Sequence, residues 1–282
     1  MILIRQIKVD IRQGILLKWP FYLITFAISL GLTALFVVSK NNLIVQGKMS
    51  GSVSLGDAFY YMFRGMREYD PLLKKAFDIV DSFLIWNLLL AFMAGNYPVS
   101  DLKTTGKNYL VRANTRRQWW LSKCAWNVFT VLAFYMCIFA GMLIGTYLCS
   151  LFTDNITWTS VIFNPELFKK IFLVDLQGGT QGYILAQMIV LPVAASLAIS
   201  MFQMAVSLIA NAPIGYITVV TICAFSAYYM KWFLIGNGMM VYRYRDVNPN
   251  GIGILLPLLA SLIIFVLSGL VGYISFRNKD IL

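Results

Sequence analysis

The chain has 282 residues, of which 59% are hydrophobic and only 12% charged, whereas a soluble domain carries about a quarter charged; water is not its main solvent. A net charge of +11 would raise the question of nucleic acid in a soluble protein, but basic residues retained beside apolar spans account for it, and no nucleic-acid partner is expected. Histidine is absent, which removes the usual general base near neutral pH, the usual zinc ligand and the Ser/His and Cys/His nucleophile pairs.

Residues 1–19 place Leu3, Ile4, Ile7, Ile11 and Ile15 on one helical face and Arg5, Arg12 and Gln13 on the other. That spacing predicts an amphipathic helix lying in the membrane interface. The long apolar run that follows shows no small-residue cleavage site and argues against a signal peptide. Six runs are long enough to cross about 30 Å of hydrocarbon at about 1.5 Å per residue: 20–39, 79–97, 124–149, 183–210, 214–235 and 254–276. The expected fold is therefore a single all-α polytopic membrane domain over 1–282, with an interfacial helix and six transmembrane helices. Only Asn211, Ala212 and Pro213 separate the fourth and fifth runs, which makes them a tight helical hairpin with Pro213 opening the second arm.

The short segments that would face inward are denser in Lys and Arg than the longer outer ones, which puts both termini in the cytoplasm. Two outer segments are expected to be structured caps. Residues 40–78 contain a short surface helix at Asp57–Met66 carrying Phe59, Tyr60 and Phe63, and residues 150–182 contain Trp158, Phe163 and Phe168 between polar residues. The four cysteines, Cys124, Cys137, Cys149 and Cys223, have no paired spacing and read as small buried hydrophobes.

Catalytic signatures are missing. Gly106-Lys107 is followed by Asn108, and Asp101 stands where the first glycine of a phosphate-binding loop belongs. Gly236, Gly238, Gly251 and Gly253 lack the strand and helix context of a dinucleotide site. Ion-coupled carriers keep titratable groups inside the membrane, and the acidic candidate is Asp81, at a span edge with Lys75 nearby. No catalytic residue, metal site or cofactor is expected in this chain. The spans do hold neutral polar residues: Asn87, Gln187, and the stripe Ser196, Ser200, Gln203 and Ser207. These serve either helix-to-helix hydrogen bonding or the wall of an amphipathic substrate path. Gly141 and Gly145 form a small-xxx-small pair, for which packing is the expected role.

The inner segment 98–123 is the most informative. It holds Asp101, Asn108, Tyr109, Leu110, Val111, Arg112, Arg116, Arg117, the pair Trp119-Trp120, and Lys123. A bland basic loop needs neither three apolar residues in a row nor two tryptophans, and the pattern predicts a short helix that docks on something.

Here the sequence resembles the transmembrane subunits of ABC-2-type exporters. In that family an acidic or polar segment after span two leads through a glycine and a short apolar helix to an Arg and a Lys at span three. Asp101, Gly106, Tyr109 to Val111, Arg117 and Lys123 look like that pattern, and Phe276-Arg277-Asn278-Lys279-Asp280-Ile281 looks like the family's C-terminal end. The resemblance implies half of a transporter in the bacterial cytoplasmic membrane, with a second permease subunit, in the simplest case another copy, and two ATPase subunits that bind ATP and Mg. Residues Asn108 to Arg117 would be the coupling helix. Among relatives of this kind the chain is similar to exporters of amphipathic peptides, such as phenol-soluble modulins or self-immunity bacteriocins. Export of lipid-linked glycans or drugs is the alternative within the family, and an ion-coupled secondary carrier the alternative outside it.

Overall fold

The computed structural model describes residues 2–69, 81–95, 97–104, 106–107, 110, 116–174 and 181–277. The helices are α1 (Ile2–Gly14), α2 (Trp19–Val45), α3 (Leu55–Phe63), α4 (Asp81–Gly95), α5 (Tyr97–Lys103), α6 (Arg116–Ser150), α7 (Gln181–Ile209), α8 (Ala212–Tyr228) and α9 (Leu255–Arg277). A single 3₁₀ turn, Leu16–Lys18, joins α1 to α2, where Pro20 occupies a first-turn position that needs no amide donor. Five helical stretches are long and apolar enough to cross a membrane: α1 into α2, α4 into α5, α6, α7 and α9. Their outward faces carry Leu35, Phe129, Met136, Ile263 and Leu270, each more than two-fifths exposed. Water would not tolerate so continuous an apolar surface; hydrocarbon does.

The fifth expected run, 214–235, is a shorter helix. α8 has 17 residues, about 25 Å, and ends at Tyr228. The apolar residues after it turn back, and Ile235–Met239 form a buried 3₁₀ segment. Gly236 permits this return, because a Cβ there would stand 2.6 Å from the Ser226 side chain. The tight hairpin at 211–213 is present: the Asn211 side chain accepts the Ile214 amide at 2.9 Å and caps α8.

α2 packs along α6, and α9 along α7. The first pair approaches closely at Gly141 and Gly145, where added Cβ atoms would lie 2.8 Å from Phe26 O and 3.2 Å from Leu30 O. Ser29 Oγ donates to Ile138 O at 2.7 Å across the same seam. The small-residue pair is a packing device, as expected. α1 differs from the sequence reading in its buried face. Gln6, Asp10 and Gly14 are buried against α6, while Ile7, Ile11 and Ile15 are only partly covered and Ile4 is exposed. A Cβ on Gly14 would stand 2.2 Å from Trp126 Nε1, so glycine sets that contact.

The far ends of the helices are closed by a cap. A two-residue parallel pair, Val53–Ser54 with Ile156–Thr157, joins the segment after α2 to the segment after α6, a small departure from an all-α fold. Ser54 and Asp57 form a reciprocal capping box on α3, and Asp57 Oδ1 also accepts the Asn164 amide at 3.0 Å. The expected surface helix is in fact an inserted one. Tyr60 is fully buried and Phe63 nearly so, among Phe163, Phe168, Phe172 and Tyr135. Six-carbon rings in this number bury large apolar area at the head of the bundle, and that outweighs any gain from leaving α3 on the surface.

Candidate functional site

The opposite end of the bundle holds a buried charge cluster. Lys123, with no exposed surface, places Nζ 2.5 Å from Asp10 Oδ1 and 2.7 Å from Asp101 Oδ2. Tyr97 Oη donates to Asp10 Oδ1 at 2.9 Å, and Trp119 Nε1 donates to Asp101 Oδ2 at 3.0 Å. The ammonium also lies over the rings of Tyr97 and Trp119, at 4.7 and 5.1 Å. A fully desolvated lysine needs this set of partners, because each unmet donor or charge would be costly. The cluster ties together three elements distant in sequence: α1 through Asp10, α5 through Tyr97 and Asp101, and the base of α6 through Trp119 and Lys123. Gly106 is part of it, since a Cβ there would stand 2.4 Å from Asp101 Oδ2. Trp119 stacks on Phe276 with ring centroids 4.5 Å apart, and Trp120 Nε1 donates to Gly269 O at 2.8 Å. The end of α9 is thereby held as well.

This places the residues expected to dock on a partner. Asp101 is buried and engaged within the chain. Leu110 is buried in the cluster with Trp119 and Phe276. Arg116 Nη1 donates to Arg277 O at 2.5 Å, and Arg117 is exposed. Asn108, Tyr109, Val111 and Arg112 lie outside the described residues. The expected inner segment 98–123 is shorter than its bounds: α6 begins at Arg116 rather than Cys124, so Trp119, Trp120 and Lys123 belong to the bundle. Their aromatic and aliphatic surface is satisfied internally, which explains the tryptophan pair without any partner.

The neutral polar residues also have partners. Tyr135 Oη lies 2.8 Å from Ser196 Oγ and donates to Pro192 O at 3.1 Å. Asn127 Nδ2 donates to Ser200 Oγ at 3.0 Å, and Gln203 Nε2 to Ala91 O at 2.8 Å. Asn87 Nδ2 turns back to Phe83 O, and Gln187 Nε2 reaches Asp246 Oδ2, both at 2.8 Å. All five path candidates, Asn87, Gln187, Ser196, Ser200 and Gln203, are more than nine-tenths buried. Ser196, Ser200 and Gln203 of the stripe join helices in this conformation, whereas Ser207 Oγ is buried without a hydrogen-bond partner. The side chain of Asp81 lies outside the described residues. All four cysteines are free, two of them buried and two half-buried.

Arg243 is the residue that sequence reasoning missed. It is fully buried in the cap and donates to Met66 O at 3.0 Å, Ala227 O at 2.6 Å, Tyr229 O at 3.1 Å, Ser226 O and Asn237 Oδ1. Several of these acceptors are the last carbonyls of α8, so one guanidinium caps that helix and neutralises its negative end. Burial lowers its pKa to about 10, which leaves it charged at neutral pH. An arginine after an apolar run was the available signal, but Arg245 follows two residues on, and most of the acceptors of Arg243 are main-chain groups that carry no sequence signature.

Among the described residues no group of three or more Cys, Asp or Glu is placed to hold a metal ion. No curated protein and no solved structure matches the chain. The family model that does match, described as a protein of unknown function (DUF2705), covers residues 43–282, and the chain belongs to that family.

Proposed function

We propose that this chain is the membrane-embedded permease subunit of an ATP-driven exporter of the ABC-2 kind, moving an amphipathic or hydrophobic cargo such as a peptide out of a bacterial cell. In this reading α8 is the short fifth of six crossings, both termini are cytoplasmic, and the half-covered isoleucines of α1 rest in the interface. ATP and Mg belong to two separate ATPase subunits, and a second permease subunit, most simply another copy, completes the pathway. The observation that carries the reading is the Asp10–Lys123–Asp101 cluster. The segment between α5 and α6 is anchored at both ends in one buried charge network that also grips α1 and the end of α9. Force applied to that segment has a stiff route into the spans. The packed polar stripe supports placing the path between subunits rather than through one chain.

Two experiments test it. Purification of the tagged chain from its own membranes is expected to bring down an ATPase subunit, and reconstituted export is expected to require ATP. Transport by the chain alone, driven by an ion gradient, would overturn the reading. Replacing Tyr109 and Arg112 by Ala is expected to leave ATP hydrolysis by the complex running while export falls by tenfold or more, on the order of the 1–3 kcal/mol of a typical coupling energy. Unchanged export in that double variant would remove the docking role from this segment.

A further inference from the structure

Helix α1 turns three different strips to its surroundings. Gln6, Asp10 and Gly14 press on α6, with Asp10 held by Lys123. About a quarter turn around the helix from them, Ile4, Ile7, Ile11 and Ile15 form an apolar strip that the protein covers only in part. About half a turn from Asp10, on the side facing away from the bundle, Arg5, Lys8 and Arg12 make a row of cations. All three are exposed, and none forms an ion pair among the described residues.

Charge at this end of the bundle is one-sided. Its two described carboxylates, Asp10 and Asp101, are buried and spent on Lys123, whereas Lys103, Lys107 and Arg117 are exposed. The occupant that complements the α1 row is therefore anionic. Its apolar neighbours decide between a protein and a bilayer. Ile4, Leu16, Leu17 and Trp19 are each more than three-fifths exposed, and a single 3₁₀ turn, Leu16–Lys18, joins α1 to the long apolar α2. An acidic protein seated on the cations would leave those side chains in water. A leaflet covers them with acyl chains and meets the cations with phosphates. Net charge matters too. The phosphate of a zwitterionic lipid is neutralised by its own amine, so three cations within about 10 Å of helix favour headgroups with a net negative charge.

We propose that Arg5, Lys8 and Arg12 form a binding row for the phosphates of anionic phospholipids, with the isoleucines in the acyl layer beneath. The inference rests on the interfacial placement of α1 given above and is independent of the ATPase partnership. Lipid held there steadies α1 from the side opposite the charge cluster.

The test uses the purified full chain in phosphatidylcholine nanodiscs doped with equal traces of photoactivatable phosphatidylglycerol and phosphatidylcholine, each with a diazirine near the top of one acyl chain. Labels within residues 2–19 are expected to come from the phosphatidylglycerol probe at least about fivefold more often, the scale of one surface cation. Raising the salt to about 0.5 M is expected to shrink that preference, which reads the charge without any variant. The triple variant Arg5→Gln, Lys8→Gln, Arg12→Gln is expected to label equally with both probes while its labels on the outward faces of α6 and α9 stay as in the parent. Lys103→Gln with Lys107→Gln is expected to keep the preference. Equal labelling of α1 by the two probes in the unaltered chain overturns the site and leaves the row to an acidic protein. Equal loss in the Lys103 and Lys107 double variant overturns it in favour of a diffuse positive end. No label in 2–19 from either probe refutes the interfacial placement itself.

Discussion

Lys123 shows how much a single side chain can hold. Replacing it with Met leaves Asp10 and Asp101 facing each other in a buried site, and such a loss costs about 3–5 kcal/mol. The triple variant Lys123→Met, Asp10→Asn, Asp101→Asn removes the charges together and is expected to recover most of that stability. Thermal unfolding in detergent reads both; a single variant as stable as the parent would show that the cluster bears no load. Asp57, in the cap, makes a different prediction. Burial pushes its carboxyl up to about 6, against the lowering effect of the Ser54 and Asn164 amides. The unfolded value is about 4, so as pH falls the folded cap takes up this proton first and is stabilised. Cap stability is expected to rise by roughly 3 kcal/mol at most between pH 7 and pH 4, and Asp57→Asn should flatten the slope. Glu166 acts the opposite way. The Ser50 amide first and Lys170 second hold its pKa down at about 2, so its contribution is present above its ordinary pKa and fades only as pH falls toward 2, below the Asp57 window. Hydrogen exchange in residues 53–63, corrected for intrinsic rates, checks the sign; a cap that loosens between pH 7 and pH 4 contradicts it.

Among the elements, the glycines separate contact from mere flexibility. Gly141→Leu on α6 would drive a side chain into the α2 backbone and is expected to cost at least about 2 kcal/mol. Gly31→Leu on α2 meets nothing within 4 Å and should be close to neutral. Equal stability of the two variants in the same melt would sink the packing assignment. The helices themselves were legible in the sequence because a membrane span must satisfy its backbone internally and cover itself in apolar side chains. Their ends were not. α6 extends back to Arg116 because Trp119, Trp120 and Lys123 find partners inside the bundle. α8 stops at Tyr228 because Arg243 caps it, although apolar residues continue beyond. The helical period of α1 was also legible, but its buried face was chosen by Asp10 and Gly14 rather than by the isoleucines.

Across the whole molecule, the two ends of the bundle are closed by different means. One end is an aromatic and backbone-bonded cap in which three segments between helices interlock; the other is the charge cluster. In the cap, Tyr242 N donates to Arg64 O, Arg67 reaches Phe172 O, and Arg243 draws on Met66 and the end of α8. Arg243→Ala strips several buried carbonyls of their donor at once and is expected to destabilise the protein by about 3–5 kcal/mol. Protection from hydrogen exchange should fall together in residues 53–67, 163–174 and 235–247, because they are joined through one another. Loss confined to 235–247 would show three independent loops.

By itself the sequence determined the solvent and the helices. Apolar content and the absence of histidine and of a phosphate-binding loop are properties of composition and short-range spacing. Only the tertiary structure decided what the isolated polar groups do. Asp10 and Lys123 stand 113 residues apart, and Arg243 and Met66 stand 177 apart. Helical periodicity relates residues within a few turns of each other, so it places each charge on a face of its own helix. Which charge meets which depends on how the helices pack.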